Sequence, residues 1–200
     1  MIIVNIHKGL GNQLFHYAAG RYIALKEKTN LLIDPVSGRA DHESFLLKKY
    51  FNIKGIVLPK IGLKIIKKTF NFKLYENWQF GFDKNFKELN DFTYLLGNFQ
   101  SRLYFESILQ NLKQELKLKP RIENQIQNKL ALYLNLIQFS NSVCVHVRQG
   151  DYIQRGYTLC GRTYYKKSFD LIKKKINNPK FFIFSDEIEK ARSVIPKEEN

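Results

Sequence analysis

A guanidinium, an imidazole and a carboxylate stand next to a glycine within six residues near the middle of the second half of the chain. His146 and Arg148 alternate with the valines of 143–147, so a β-strand would place both on one face. Arginine offers paired donors suited to a phosphate, Gly150 lets a turn approach it, and Asp151 could orient the guanidinium. The pattern predicts an anion site at the end of a parallel strand, where open α/β sheets bind ligands. The alternative is a structural histidine beside a local Arg–Asp pair.

A second polar pair follows another apolar strand-like run. Ser185 and Asp186 come directly after residues 181–184 and before a short helical segment. Asp186 with Glu189 fits a helix-capping pattern, which is the structural interpretation. A carboxylate at the edge of a sheet could instead accept the paired N–H groups of a guanine base.

Two glycines near the start of the chain form the third candidate. Gly9, Gly11 and Asn12 separate the apolar run 2–6 from a segment with helical spacing, so the backbone could approach an anionic ligand at a helix N-terminus. Leu14 occupies the third glycine position of the dinucleotide fingerprint, and no Gly-Lys-Ser/Thr of a P-loop follows. A tight strand-to-helix turn is the structural alternative.

Metal and disulfide chemistry find little support in the sequence. Cys144, His146 and Cys160 lack the paired spacing of a zinc site, so we predict no metal site and no cofactor. Two cysteines in 200 residues give no disulfide framework and suit a reducing cytosol.

The chain is strongly basic, with 33 Lys+Arg against 18 Asp+Glu and a formal charge of +15. Such a surface attracts nucleic acid, anionic lipid or phosphorylated substrates. In residues 60–68, four lysines share one helical face against apolar residues, which suits either peripheral contact with an anionic membrane or a solvated face. The sequence shows no signal peptide and no transmembrane window, so we expect a cytoplasmic protein, either free or peripheral on the inner face of the membrane.

Apolar periodicity predicts an α/β fold with parallel sheets, because a strand–helix–strand unit opens the chain. We expect one domain over 1–140 and a second over 141–200, with residues 42–90 lacking firm periodicity. The expected strands cover 2–6, 31–33, 93–97, 143–147 and 181–184, and the expected helices 13–28, 102–118, 122–137, 164–176 and 187–194. Two strands with two helices cannot cover both faces of a sheet, so the second domain is expected to be incomplete.

Four motifs together resemble the bacterial α-1,2-fucosyltransferases of glycosyltransferase family 11. They occur in the family's order, as GLGNQLFHYA at 9–18, LGNFQS at 96–101, HVRQGDY at 146–152 and FIFSD at 182–186. The resemblance implies two Rossmann-like domains of GT-B type, the first on the acceptor side and the second binding GDP-fucose. It also implies metal-independent, inverting transfer of L-fucose from GDP-fucose to the 2-hydroxyl of a galactose-containing surface glycan such as lipopolysaccharide.

The resemblance also assigns roles to single residues. Arg148 would hold the β-phosphate of the donor, His146 would seat the nucleotide, Asp186 would contact the guanine edge, and Asn12 would lie near the reacting sugar. The expected catalytic residues are therefore Arg148 and Asn12, and the expected donor-binding residues are Gly11, Asn12, His146, Arg148, Asp151, Ser185 and Asp186.

The chain departs from the family pattern at several points. Gln149 replaces a second arginine, Lys8 stands where the family often has glycine, and the family's closing segment does not follow Asp186. These departures predict a truncated member with little or no activity of its own. A basic, non-catalytic nucleic-acid-binding module is the alternative hypothesis, although the motifs disfavour a nucleic-acid partner; steep loss of affinity with salt would distinguish it from base-selective GDP binding.

Overall fold

The structure, a computed structural model, describes residues 1–35, 45–154 and 156–196. It divides into two compact units, unit 1 (Met1–Glu123) and unit 2 (Asn124–Asn200), and each contains a parallel sheet. The division falls inside helix α5 (Pro120–Gln138), whereas the sequence placed a domain boundary near residue 140, just beyond the end of that helix.

Unit 1 is built on a parallel sheet with the strand order β3-β2-β1-β5-β4. Its elements in chain order are β1 (Ile2–Asn5), α1 (Leu10–Lys26), β2 (Leu31–Asp34), α2 (Leu47–Tyr50), β3 (Ile56–Val57), α3 (Lys60–Thr69), β4 (Lys73–Asn77), a 3-10 turn (Lys84–Glu88), β5 (Thr93–Gly97), two 3-10 turns (Arg102–Tyr104 and Glu106–Ile108), α4 (Leu109–Glu115) and the start of α5. The expected strand 93–97 is confirmed at both ends. The segment 42–90, which showed no firm periodicity, contains the edge strands β3 and β4 and helix α3.

The central strand β1 is fully buried, and its alternate side chains enter two different cores. Ile2 and Val4 pack in the larger cluster beneath α1, while Ile3 faces α3 through Leu63. Helix α1 lies very close to the sheet at Gly20, where an added Cβ would come within 2.8 Å of the Val4 Cβ. The packing of α1 on β1 fixes the turn between them, which contains the first glycine motif.

A buried ion pair attaches α1 to α4. Arg21 Nη2 lies 2.8 Å from Glu115 Oε1, and the Tyr17 hydroxyl donates to the other carboxylate oxygen. Burial, followed by the hydrogen bond to Glu115, raises the pKa of Tyr17 above its usual value. The Tyr17 hydroxyl also accepts the Lys54 N–H at 2.8 Å, so this contact connects α1 with α4 and with the segment before β3.

The helix expected over 102–118 forms only in part. Two 3-10 turns replace its first half, and α4 ends at Glu115. Ser101 accepts a hydrogen bond from the Leu103 N–H, and Phe105 leaves helical geometry at φ −144° and ψ 15°. The tighter turns bury Tyr104 and Ile108 in the main core, so tertiary packing outweighs the helical pattern.

Unit 2 contains two parallel strands among the residues that the structure describes. Its elements are the rest of α5, β6 (Asn141–Val147), α6 (Gly150–Gln154), α7 (Arg162–Lys175), β7 (Pro179–Ser185) and α8 (Ile188–Val194). Val145 and Val147 pack with Phe169 of α7 and Ala191 of α8 on one face of the pair. Across the described parts of both units, no helix is both long and apolar enough to span a bilayer.

Candidate active site

The loops after β6 and β7 bring the second group of predicted residues together. The parallel register places Val147 opposite Ser185, so Arg148 and Asp186 leave the sheet side by side. Arg148 Nε lies 3.3 Å from Asp186 Oδ2, and the arginine side chain remains exposed. The guanidinium also lies over the Tyr152 ring, with its central carbon 5.2 Å from the ring centroid. This confirms that Arg148 stands at the carboxyl end of a parallel strand.

The Asp186 carboxylate connects the two loops through the backbone as well. Its Oδ1 accepts the N–H of Gln149 at 3.0 Å. This backbone hydrogen bond is the main cause that lowers the pKa of Asp186, and the N–H of Gly150 and the charge of Arg148 act in the same direction. A Cβ on Gly150 would lie 2.7 Å from Asp186 Oδ2, so the glycine leaves room for the carboxylate.

One structural interpretation of the sequence needs correction. A cap of the last helix by Asp186, the structural alternative to a ligand contact, does not form, because α8 begins after Glu187 and has no side-chain cap; Ser185 Oγ instead accepts the Glu187 N–H at 3.0 Å. Arg148 pairs with Asp186, a contact that the sequence analysis did not predict, and the orientation of Arg148 by Asp151 stays a prediction. Asp151 lies in α6, and its side chain falls outside the described part of the structure.

The strand β6 presents its polar residues as the alternation predicted. Cys144 and His146 are exposed, whereas Val145 and Val147, which alternate with them, are buried. His146 therefore stands on the same open face of the sheet that ends in Arg148. Together these residues offer an imidazole and a guanidinium to a ligand lying across the end of the strand.

In unit 1, the first glycine motif forms the turn between β1 and α1. The helix begins at Leu10, so Gly11 and Asn12 lie in its first turn, where backbone N–H groups have no partner within the helix. Asn12 is half-buried, and its side-chain oxygen accepts from Gln100 Nε2, in the segment after β5. The structure thus joins the first two family motifs at the carboxyl edge of this sheet.

A buried polar network lies directly beneath this turn. Asn5 Oδ1 is 2.8 Å from His7 Nδ1, and Asn5 Nδ2 donates to Asp34 Oδ2 at 3.3 Å. The His7 ring stacks on the His16 ring with the centroids 4.2 Å apart, and the backbone N–H of His7 donates to His16 Nδ1. Tyr94 completes the network by donating its hydroxyl proton to Asp34 Oδ2 at 2.8 Å. Asn5 and Asp34 end neighbouring parallel strands, so strand pairing brings them to one edge, while His16 reaches the network from α1 and Tyr94 from within β5.

Lys8 and Trp78 form the exposed rim of the same edge. Lys8 adopts φ +61°, a left-handed conformation that glycine adopts without steric cost. Its ammonium donates to Asn98 Oδ1 at 2.9 Å and lies 5.8 Å from the centroid of the Trp78 ring. Sequence reasoning missed His7, His16 and Trp78 as site residues. A polar or aromatic residue within two residues of a strand end could have indicated His7 and Trp78, whereas His16 lies inside α1 and gives no such signal.

Comparison with known proteins shows the family. The family model for glycosyl transferase family 11 matches residues 1–200. The chain belongs to glycosyl transferase family 11. The resemblance of the four motifs is thereby confirmed, and the family-11 chain is a glycosyltransferase of the fucosyltransferase type.

Individual relatives of this family-11 chain agree. An α-1,2-colitosyltransferase of Escherichia coli is 27% identical over 212 residues, which cover 94% of this chain and 70% of that protein. The crystal structure of the fucosyltransferase NodZ from Bradyrhizobium superposes with a TM-score of 0.55 at 17% identity, covering 99% of this chain and 78% of that one. NodZ α-1,6-fucosyltransferase soaked with GDP-fucose gives 0.51 at 18% identity, covering 94% and 71%. The likeness in fold confirms the predicted GT-B-like α/β class.

The structure of this family-11 chain brings two groups of the predicted site residues together: Arg148, Ser185 and Asp186 in unit 2, and Gly11 and Asn12 in unit 1. Among the described residues, no three His, Cys, Asp or Glu side chains are grouped so that they could hold a metal ion.

The buried His16 makes stability depend on pH. Burial, then the neighbouring His7 and Lys8, lower the pKa of His16 to about 3. In the unfolded chain His16 takes up a proton near pH 6.5. The stability that the neutral, buried His16 contributes is therefore fully present above pH 6.5 and is lost as pH falls toward 3. The free energy of unfolding should fall by about 1.4 kcal/mol per pH unit in this window.

Urea unfolding at pH 7 and pH 5 tests this expectation. His16→Gln should remove about 2 kcal/mol of the difference between the two pH values, since 1.5 pH units separate pH 5 from the unfolded pKa. His146→Gln is the matched control, because that ring is exposed and stays in water in both states. An unchanged pH dependence in the His16 variant would show that the buried ring does not control it.

Proposed function

We propose that this protein transfers L-fucose from GDP-fucose to the 2-hydroxyl of a galactoside in a surface glycan. The supporting observation is the exposed Arg148 at the end of β6, held in place by Asp186. A GDP-linked donor also agrees with the NodZ enzyme, which was soaked with GDP-fucose. The α-1,2 linkage rests on the motif resemblance and on the linkage in the name of the colitosyltransferase relative. NodZ is named for an α-1,6 linkage, so it supports the donor and leaves the acceptor position to the motifs.

The proposed reaction is a single displacement with inversion at the anomeric carbon. The oxygen of the acceptor hydroxyl bonds to C1 of fucose while the C1–O bond to the β-phosphate breaks. The bonding electrons leave with GDP, and the hydroxyl proton passes to a base. Negative charge therefore grows on the β-phosphate, where a guanidinium oriented in advance stabilises the transition state.

Asp186 acts in this scheme as the positioning residue for Arg148. It holds the Nε edge of the guanidinium and is itself held by the Gln149 N–H, so the arginine is oriented before the donor arrives. The proposed contact of Asp186 with the guanine edge would share a carboxylate that already has these partners. Ser185 supports the turn through the Glu187 N–H, and His146 seats the nucleotide from the open face of β6.

Gln149 shows what the loss of the family's second arginine means locally. Its side chain is buried, and its backbone N–H serves the Asp186 carboxylate. The backbone function survives the replacement, while one positive charge is absent near the departing phosphate. The remaining roles, contact of Gly11, Asn12 and Asp151 with the donor sugar, are proposed from the family motifs.

Removal of the guanidinium tests the donor assignment. Arg148→Ala should weaken GDP binding by about 100-fold, which corresponds to losing about 2.7 kcal/mol of charge-assisted hydrogen bonding. Isothermal titration calorimetry with GDP measures the effect. Cys144→Ser changes a neighbouring exposed residue of the same strand and should bind GDP as the parent protein does. Equal losses in both variants would point to misfolding, and undiminished binding by Arg148→Ala would refute its role.

Metal dependence provides a second test. A protein cation at the leaving phosphate replaces the charge that Mg²⁺ supplies in other transferases, so we propose a reaction that needs neither metal nor cofactor. Turnover of GDP-fucose with a galactoside acceptor, measured as GDP release, should be the same with excess EDTA as with added Mg²⁺. Activity that required added Mg²⁺ or Mn²⁺ would contradict this part of the mechanism.

We further propose a cytoplasmic protein that contacts the inner, anionic face of the membrane through α3. Leu63 is buried on the inner side of this helix, whereas the side chains of Ile61 and Ile65, on its outer side, are 73% and 59% exposed. Lys64 and Lys68 flank these isoleucines along the next ridge, and α3 contains no acidic residue. Exposed isoleucines between lysines suit insertion at a negatively charged lipid surface.

Vesicle sedimentation tests this contact. The protein should bind phosphatidylglycerol vesicles and not phosphatidylcholine vesicles, and Ile61→Gln with Ile65→Gln should weaken that binding at least about tenfold. Leu132→Gln changes an equally exposed apolar residue of α5 and should leave binding intact. Equal binding by the double variant and the parent protein would exclude α3 as the contact.

A further inference from the structure

The segment after β4 exposes two aromatic rings that the mechanism above does not use. Trp78 is 46% exposed and Phe80 is 89% exposed. Rings of this size are usually buried, because their transfer out of water is favourable. Both belong to the loop 77–85, and we call Trp78, Phe80 and this loop the aromatic platform.

The loop 77–85 is held by hydrogen bonds, so the exposure of the Trp78 and Phe80 rings does not come from loose structure. The buried Tyr104 hydroxyl accepts from Asn77 Nδ2 at 2.8 Å and from the Asp83 N–H at 3.0 Å, and donates to the Gly81 carbonyl at 3.1 Å. Asp83 Oδ2 accepts from the Tyr75 hydroxyl at 2.6 Å. A scaffold of this kind holds the rings ready for a ligand.

The Trp78 ring is oriented by its own contacts. Its indole N–H donates to the Glu76 carboxylate, and its backbone carbonyl accepts from Asn98 Nδ2 at 3.1 Å. The His7 ring lies 5.6 Å from it, centroid to centroid. The platform is therefore continuous with the polar edge that contains Lys8 and the turn of Asn12, all within unit 1.

An open cavity of about 380 Å³ lies beside the platform. Its lining combines amide, carboxylate, ammonium and aromatic groups: Asn77, Gln79, Phe80, Phe82, Asp83 and Lys84. The volume falls within the range of small-molecule sites, about 300–1,000 Å³. One carboxylate and one ammonium balance each other, so the lining favours a neutral ligand rich in hydroxyls over an anion or a lipid surface.

We propose that the aromatic platform binds a neutral hexose of the acceptor glycan. The flat C–H face of a pyranose lies against Phe80 or Trp78, and its hydroxyls exchange hydrogen bonds with the exposed amides of Gln79 and Asn85, which line the cavity. The position at the carboxyl end of β4 is where a parallel sheet presents ligands. This inference rests on the proposed transferase function, whose acceptor side it specifies, and it is independent of the donor residues in unit 2.

The chain contains a single tryptophan, so fluorescence reports on this site alone. Titration of the full chain with methyl β-galactoside, without donor, should give a saturable change in Trp78 emission. Phe80→Ala should weaken this binding at least about tenfold, equivalent to 1.4 kcal/mol. Phe139→Ala removes a comparably exposed ring, 81% accessible, from unit 2 and should leave the titration unchanged.

Steady-state kinetics gives the second readout. Phe80→Ala should raise the KM for the galactoside about tenfold and leave the KM for GDP-fucose unchanged, because the donor site lies in other residues. Absence of saturable emission changes with galactoside, glucoside and mannoside would overturn the platform, and intact GDP binding would then leave the transferase proposal standing. Equal loss in Phe139→Ala, or loss of phosphatidylglycerol binding in place of sugar binding in Phe80→Ala, would also overturn it.

Discussion

Parallel pairing of strands is the constraint on which both candidate sites depend. Parallel strands have their carboxyl ends at the same edge of the sheet, so residues that follow different strands meet there although they are far apart in sequence. In unit 1, β1 pairs with both β2 and β5, and Asn5, Asp34 and Asn98 reach one edge. In unit 2, the register of β6 with β7 does the same for Arg148 and Asp186. The chemistry of each unit follows from strand direction before any side-chain contact is made.

The two edges solve different electrostatic problems. Arg148 is exposed and paired with a carboxylate that backbone N–H groups already stabilise, so its charge is oriented while it stays accessible to an anion. The edge of unit 1 buries its imidazoles and keeps His16 neutral through desolvation. Aromatic rings at the rim of the unit 1 edge suit a sugar, whereas an oriented cation suits a diphosphate. The proposed assignment of acceptor to unit 1 and donor to unit 2 agrees with these groups.

The sequence predicted the elements whose patterns are local and strong. The strand Thr93–Gly97 and the face alternation of β6 follow from buried apolar runs, and the four motifs were sufficient for the family. The edge strands β3 and β4 were missed because they are short or half-exposed, and so show little alternation. The helix cap considered as the structural alternative for Asp186 does not form, because the carboxylate accepts the Gln149 N–H, a partner distant in sequence that no local pattern indicates. The aromatic platform depends on Tyr104, which only tertiary packing places beneath the loop.

The close contact at Gly20 has a mechanical consequence for the turn of the first motif. Because Gly20 has no side chain, the backbone of α1 packs directly on Val4, and this contact fixes the distance between the helix and the sheet. Asn12 lies eight residues earlier, about 12 Å along the axis at 1.5 Å per residue. A methyl group added at Gly20 would push the helix away from Val4 and tilt its axis. The first turn of α1, which contains Asn12, would then move farther than the helix moves at Gly20. A residue with no side chain, deep in the interior, thereby sets the position of a polar group at the rim.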